Sequence, residues 1–137
     1  MQVKTIIDED FTNYKYSSMF IGLGTCNWKC CHEANIPITV CQNSELAKQK
    51  DIDISADEIF SRYISNSLTS AVVIGGLEPL TMRNDVISLI KCFRNHGCND
   101  TFVIYTGYYV EEIQDFIEEI KPLGNIICKL GRYKPNN

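Results

Sequence analysis

The chain has 137 residues, 45% of them hydrophobic and 22% charged, a globular composition that excludes a disordered tail or a fibre and is sized for one domain over residues 1–137. Thirteen Lys and Arg against seventeen Asp and Glu leave a net charge of −4, which argues against broad phosphate-driven binding of nucleic acid, since that needs clustered cations. No apolar run approaches the ~18 residues of a membrane span, and the N-terminal MQVKTIIDEDFTNYK carries acidic residues where a secretory signal needs its apolar stretch.

In chain order, Phe11, Tyr14 and Tyr16 read as N-terminal packing rather than a base-stacking platform. Residues 18–24 (SMFIGLG) read as a short buried strand closed by glycine. Residues 25–50 have little periodicity and carry Pro37, several Asn and four cysteines, so they read as a long binding loop. Residues 51–54 (DIDI) are a brief extended lead-in. Ser55 and Glu58 have the spacing of a capping box. Ile59, Phe60, Tyr63 and Ile64 then recur at helical spacing. Ser65-Asn66-Ser67 ends that run.

Residues 71–74 (AVVI) stop at Gly75-Gly76 and fit a strand buried on both faces. Val86, Ile87, Leu89, Ile90 and Phe93 predict a second helix, with Gly97 as its stop. Residues 102–105 (FVIY) repeat the strand pattern and end at Thr106-Gly107. Ile113, Phe116, Ile117 and Ile120 predict a third helix, closed by Pro122 and Gly124. Residues 125–130 (NIICKL) are a last strand before Gly131. Glu111, Glu112, Glu118 and Glu119 read as a solvated helix face. Strands alternating with helices imply βαβ units and a parallel sheet. Ligands of such sheets sit at the C-terminal strand ends. The cysteine loop, Gly75-Gly76, Thr106-Gly107 and Gly131 all follow strand ends and are expected to converge on one edge. The chain stops soon after its last strand, which fits either a compact variant or a shortened chain.

Seven cysteines without a secretory signal point to a reducing, cytoplasmic setting and away from a disulfide scaffold. Cys26, Cys30, Cys31 and Cys41 lie within sixteen residues, a density that favours metal binding. Thiolates suit zinc and iron–sulfur clusters. A [4Fe–4S] cluster normally takes four cysteines, and three leave one iron open. Structural zinc with His32 as a fourth ligand is one alternative. Unligated buried thiols are another. Cys92, Cys98 and Cys128 read as packing residues, and His96 as a charge near a helix C-terminus.

Cys26-Asn27-Trp28-Lys29-Cys30, Cys41 followed by Asn43, and Gly75-Gly76-Leu77-Glu78-Pro79 resemble the radical S-adenosylmethionine (radical SAM) superfamily. Its familiar pattern is C-x3-C-x2-C followed by a GGEP-type motif after the second strand. With Tyr105-Thr106-Gly107-Tyr108 and Gly131-Arg132-Tyr133, the chain is similar to glycyl-radical activases of anaerobic ribonucleotide reductase over roughly residues 18 to 133. The second cysteine gap here is ten residues rather than two, Leu77 interrupts Gly-Gly-Glu-Pro, and Cys31 stands beside Cys30 as an alternative second ligand.

The resemblance implies an α/β fold, an open partial (βα) barrel with about four to five mostly parallel strands. It implies a [4Fe–4S] cluster on Cys26, Cys30 and Cys41, with S-adenosylmethionine on the remaining iron. Backbone at Gly75 and Gly76, with Glu78 nearby, would receive the methionine ammonium. Trp28 would lie near the adenine, and Thr106 and Gly107 would line the same cavity. The implied activity is reductive cleavage of the cofactor to a 5′-deoxyadenosyl radical that generates a glycyl radical on the reductase. Flavodoxin or ferredoxin would donate the electron. The alternatives are a radical SAM enzyme acting on a small molecule or peptide, and a non-catalytic zinc- or cluster-binding interaction module.

Overall fold

The computed structural model describes residues 1–23, 52–76 and 78–130. Among these, six strands form one mixed sheet: β1 (Gln2–Asp10), β2 (Ser18–Leu23), β3 (Ile52–Asp53), β4 (Ala71–Gly76), β5 (Thr101–Tyr105) and β6 (Ile126–Lys129). Their spatial order is β3-β1-β2-β4-β5-β6. The pairs β2–β4, β4–β5 and β5–β6 are parallel. These are the four strands expected from the apolar runs.

Strands β1 and β3 add an antiparallel edge, so six strands stand where four to five were expected. Nothing in QVKTIIDED advertises a strand: Lys4, Asp8 and Glu9 interrupt any apolar alternation, and of its aliphatic residues only Val3 is fully buried. Its long antiparallel partnership with β2 holds the segment in place, not its own pattern. The expected N-terminal packing is corrected at two residues. Phe11 is 69% exposed and Tyr16 55% exposed, and Tyr16 meets only the edge of Tyr14 and the Lys15 ammonium among the described ring contacts.

Three helices, α1 (Ala56–Ile64), α2 (Arg83–Asn95) and α3 (Gln114–Ile120), are described. The expected cap is present, with Ser55 Oγ accepting from the Glu58 N–H at 3.1 Å. Gly97, at φ +82°, follows α2 in the left-handed conformation that suits a helix stop. The helix stripes and one face of the sheet share a core centred on Phe93. Its ring lies 4.9 Å from Phe60, 5.2 Å from Tyr63 and 5.1 Å from Phe102. The Tyr63 hydroxyl donates to Asp100 at 2.5 Å, tying α1 to the start of β5. Burial first, and Asp100 second, push the Tyr63 phenol far above its ordinary pKa. Alternate residues Val73 and Val103, paired in register, are buried although they lie outside that core cluster. The central strands are therefore covered on both faces, as continuous apolar runs require.

Cys92, Cys98 and Cys128 pack partly buried against the core. Burial pushes all three thiols above the ordinary value, with Asp57 adding to it at Cys92, as fits cysteines packed against apolar neighbours. The four glutamates of the expected solvated face are exposed. No described helix is long and apolar enough to cross a membrane.

Candidate functional site

Register brings the strand ends to one edge. Leu23, the last residue of β2, is opposite Gly76, the last residue of β4. Ile74 pairs with Ile104, and Tyr105 with Lys129. Strand β2 therefore ends beside Gly76, and in the sequence a single residue separates Leu23 from the cysteine-rich run 25–50. Cys26, Trp28, Cys30 and Cys41 lie outside the described residues, as do Cys31, His32, Leu77, Gly131, Arg132 and Tyr133.

The two glycines of β4 serve different needs. Gly76 has φ +88°, a conformation that disfavours any residue with a Cβ. At Gly75 a Cβ would stand 3.3 Å from Phe20 Cε2 and 3.7 Å from Tyr105 Cβ. Neighbouring strands thus crowd Gly75 from both sides, and glycine lets them close over it.

Beyond the glycines the chain turns at Glu78, which is extended and caps a 3-10 turn over Pro79–Met82. Pro79 starts that turn with the φ a helical first position needs and without an N–H to leave unpaired. The Glu78 side chain is buried, with the residue 6% exposed. Its Oε2 accepts from the Leu80 N–H at 3.0 Å and from the Thr106 hydroxyl at 2.7 Å. Its Oε1 accepts from the Gly107 N–H at 2.7 Å. Thr106 Oγ1 in turn accepts from the Tyr108 N–H at 3.2 Å. Thr81 Oγ1 donates to the Glu78 carbonyl at 2.8 Å and closes the turn.

Strand order places Gly75-Gly76 and Thr106-Gly107 at one edge and the family resemblance adds Glu78, which bonds Thr106 and Gly107 directly. A carboxylate has about four acceptor positions, and donors among the described residues fill three. The geometry makes Glu78 a clasp between the ends of β4 and β5. Sequence reasoning missed the part played by the Leu80 and Tyr108 N–H groups. Pro79 and the Tyr-Thr-Gly-Tyr turn are the signals that point to them.

A family model described as a 4Fe-4S single cluster domain matches residues 17–134. The match begins one residue before β2 and leaves β1 outside it. No curated protein matches the chain closely enough to stand as a relative. The donor set suits such a cluster: soft thiols are concentrated in the one stretch that leaves a strand end beside the Gly76 turn and the Glu78 clasp.

Proposed function

The chain belongs to the 4Fe-4S single cluster domain family, and on that premise we propose that it is a radical SAM enzyme which activates a glycyl-radical partner. Cys26, Cys30 and Cys41 hold the [4Fe–4S] cluster in this reading. Three thiolates leave one iron for the amino and carboxylate groups of S-adenosylmethionine. When bound, the cluster supplies one electron that cleaves the cofactor's carbon–sulfur bond, giving methionine and a 5′-deoxyadenosyl radical. The partner is an anaerobic ribonucleotide reductase, whose glycine gives up a hydrogen atom. A flavodoxin or ferredoxin supplies the electron.

One observation carries this reading: the contact of Glu78 with Thr106 and Gly107 at the same strand-end edge from which the cysteine stretch departs. A clasp there fixes the relative position of two strand ends around a ligand. Backbone at Gly75 and Gly76 receives the methionine ammonium. Glu78 acts as a positioning residue that holds the two strand ends for the ligand. Trp28 packs near the adenine, and Thr106 and Gly107 line the cavity. Among the described residues the sheet has two separate edges, β3 and β6, which supports reading it as an open partial barrel. An open barrel suits a macromolecular substrate.

The test is electron paramagnetic resonance on anaerobically reconstituted protein reduced with dithionite, with and without S-adenosylmethionine. A reduced [4Fe–4S] signal that changes on adding the cofactor is the expected result. A cluster signal indifferent to the cofactor would leave a cluster-binding module and overturn the enzyme reading. A silent sample with stoichiometric zinc would leave a zinc-binding module. Fast turnover with a small metabolite or peptide would replace the activase by another radical SAM enzyme.

A further inference from the structure

Asp57 stands in the first turn of α1, Cys92 in the last turn of α2, and His96 caps α2. Cys92 and His96 are four residues apart, so they share one helix face. One ligand-type atom from each of the three lies within 4.8 Å of the others. Among the described residues this is the one such group of three. We propose that Asp57, Cys92 and His96 form a mononuclear site for a zinc-class divalent cation on the helix layer, built from no residue of the cysteine loop.

The spacing fits. Tetrahedral zinc, with bonds of ~2.3 Å to sulfur and ~2.0–2.1 Å to nitrogen or oxygen, separates its ligand atoms by ~3.5 Å. Cys92 Sγ lies 3.3 Å from Asp57 Oδ1 and 3.9 Å from His96 Nδ1. All three ligand atoms lie within 4.8 Å of one another.

The imidazole is held before any ion arrives. Its ring lies 4.5 Å from the buried Phe60 ring, tilted by 30°. Nδ1 is 2.8 Å from the Cys92 carbonyl oxygen. That oxygen also accepts from the His96 backbone N–H at 3.2 Å, so it keeps a partner if Nδ1 turns to the ion. The backbone bond is made by the nitrogen that would ligate and is given up on binding, so the Phe60 contact is what keeps the ring in place.

The donor set selects the ion. Thiolate, imidazole and carboxylate together suit zinc, whereas magnesium and calcium favour oxygen alone. Asp57 and His96 are exposed and Cys92 is half-buried, which gives a hydrated ion a path in and leaves water a fourth position. In the ion-free chain the Cys92 S–H donates to Asp57. Binding replaces that proton, which passes to solvent, and involves no change of oxidation state. An aspartate in a first helical turn is explained by the helix dipole alone. A cysteine and a histidine converging on it from a second helix are not.

The test is site-resolved alkylation of the full-length chain under anaerobic conditions, read by peptide mapping, with zinc absent or in excess over all thiols. Zinc is expected to slow labelling of Cys92 by ~10-fold or more, because a metal-bound thiolate is withdrawn from reaction. Cys98 and Cys128 should label at unchanged rates. Asp57→Asn and His96→Ala should each restore the Cys92 rate in zinc. An unchanged Cys92 rate in the native chain overturns the site, as does equal slowing at Cys98 and Cys128. Because Cys92 is read individually, metal taken up by the cysteine loop does not affect the outcome, and the result is independent of the proposed radical chemistry.

Discussion

Thr106 Oγ1 donates to Glu78 Oε2 at 2.7 Å, joining the segment after β4 to the residue after β5. Both residues are 6% exposed, so water does not replace a lost partner. Thr106→Val keeps the shape but removes both the donor to Glu78 and the acceptor of the Tyr108 N–H, and it should destabilise the chain by about 1–3 kcal/mol. Glu78→Gln should cost more than Thr106→Val. Its amide offers one acceptor oxygen where two are used, and it turns an N–H₂ group towards N–H or O–H donors. Anaerobic urea unfolding of the three chains measures this order. Equal midpoints for wild type and Thr106→Val would remove the clasp from the stability of the fold.

Glu78→Ala separates positioning from cluster binding. It strips the acceptor from Leu80, Thr106 and Gly107 without touching a cysteine. S-adenosylmethionine binding should weaken while iron content holds. Isothermal titration of reconstituted protein alongside an iron assay tests this. Unchanged cofactor affinity would confine Glu78 to a structural role.

The convergence of Gly75-Gly76 with Thr106-Gly107 was legible because it follows from strand order, whereas Glu78 was reached through the motif resemblance. Runs such as AVVI and FVIY lie at their observed positions, and parallel strands bring their C-terminal ends together. The Ser55 cap was legible for a similar reason, since three-residue spacing is local. Strand β1 was not legible, because its stability comes from pairing with β2 and β3 rather than from alternation of its own. Strand pairing between distant segments leaves no local trace in a sequence. The Asp57, Cys92 and His96 cluster escaped for the same reason. Cys92 and His96 show their four-residue spacing, but Asp57 joins them only through the packing of α1 on α2.

The glycines of β4 should differ in cost. Gly76→Ala forces a Cβ onto φ +88°, which should cost about 1–2 kcal/mol. Gly75→Ala meets the Phe20 ring at 3.3 Å, so the ring must give by a few tenths of an ångström. A rotating ring yields more readily than a backbone dihedral, so the Gly75 variant should be the milder. Thermal unfolding midpoints compare them. The reverse order would mean that Phe20 is held too tightly to move.

Asp10 gives the chain an acid-sensitive turn. Burial pushes its carboxyl up. Hydrogen bonds from Asn13 and Thr12, side chain and backbone, outweigh burial and set the folded pKa below the ordinary 3.8. The shortest, from Asn13 Nδ2, is 2.7 Å. A depressed folded pKa binds fewer protons than the unfolded chain, so its stabilisation is present above pH 3.8 and is lost as pH falls through the lower, folded value. Asp10→Asn should reduce stability at neutral pH and flatten that acid limb. Unfolding free energies from neutral pH to below pH 3.8 measure it. Parallel curves for the two chains would show that Asp10 contributes no linkage.

The spacing in Cys26-Asn27-Trp28-Lys29-Cys30 and the later Cys41 predict which thiols matter for the cluster. Cys26→Ala, Cys30→Ala and Cys41→Ala should each abolish stable cluster binding, because three thiolates are the fewest that leave a single iron open. Cys31→Ala should retain it. Iron and sulfide per chain after anaerobic reconstitution, with the visible absorbance of the cluster, decide between the neighbours. Iron retained in Cys30→Ala and lost in Cys31→Ala would move the second ligand by one position. The loop would then offer four residues between its first two ligands instead of three. That shift would weaken the likeness to the radical SAM pattern while leaving a three-cysteine cluster in place.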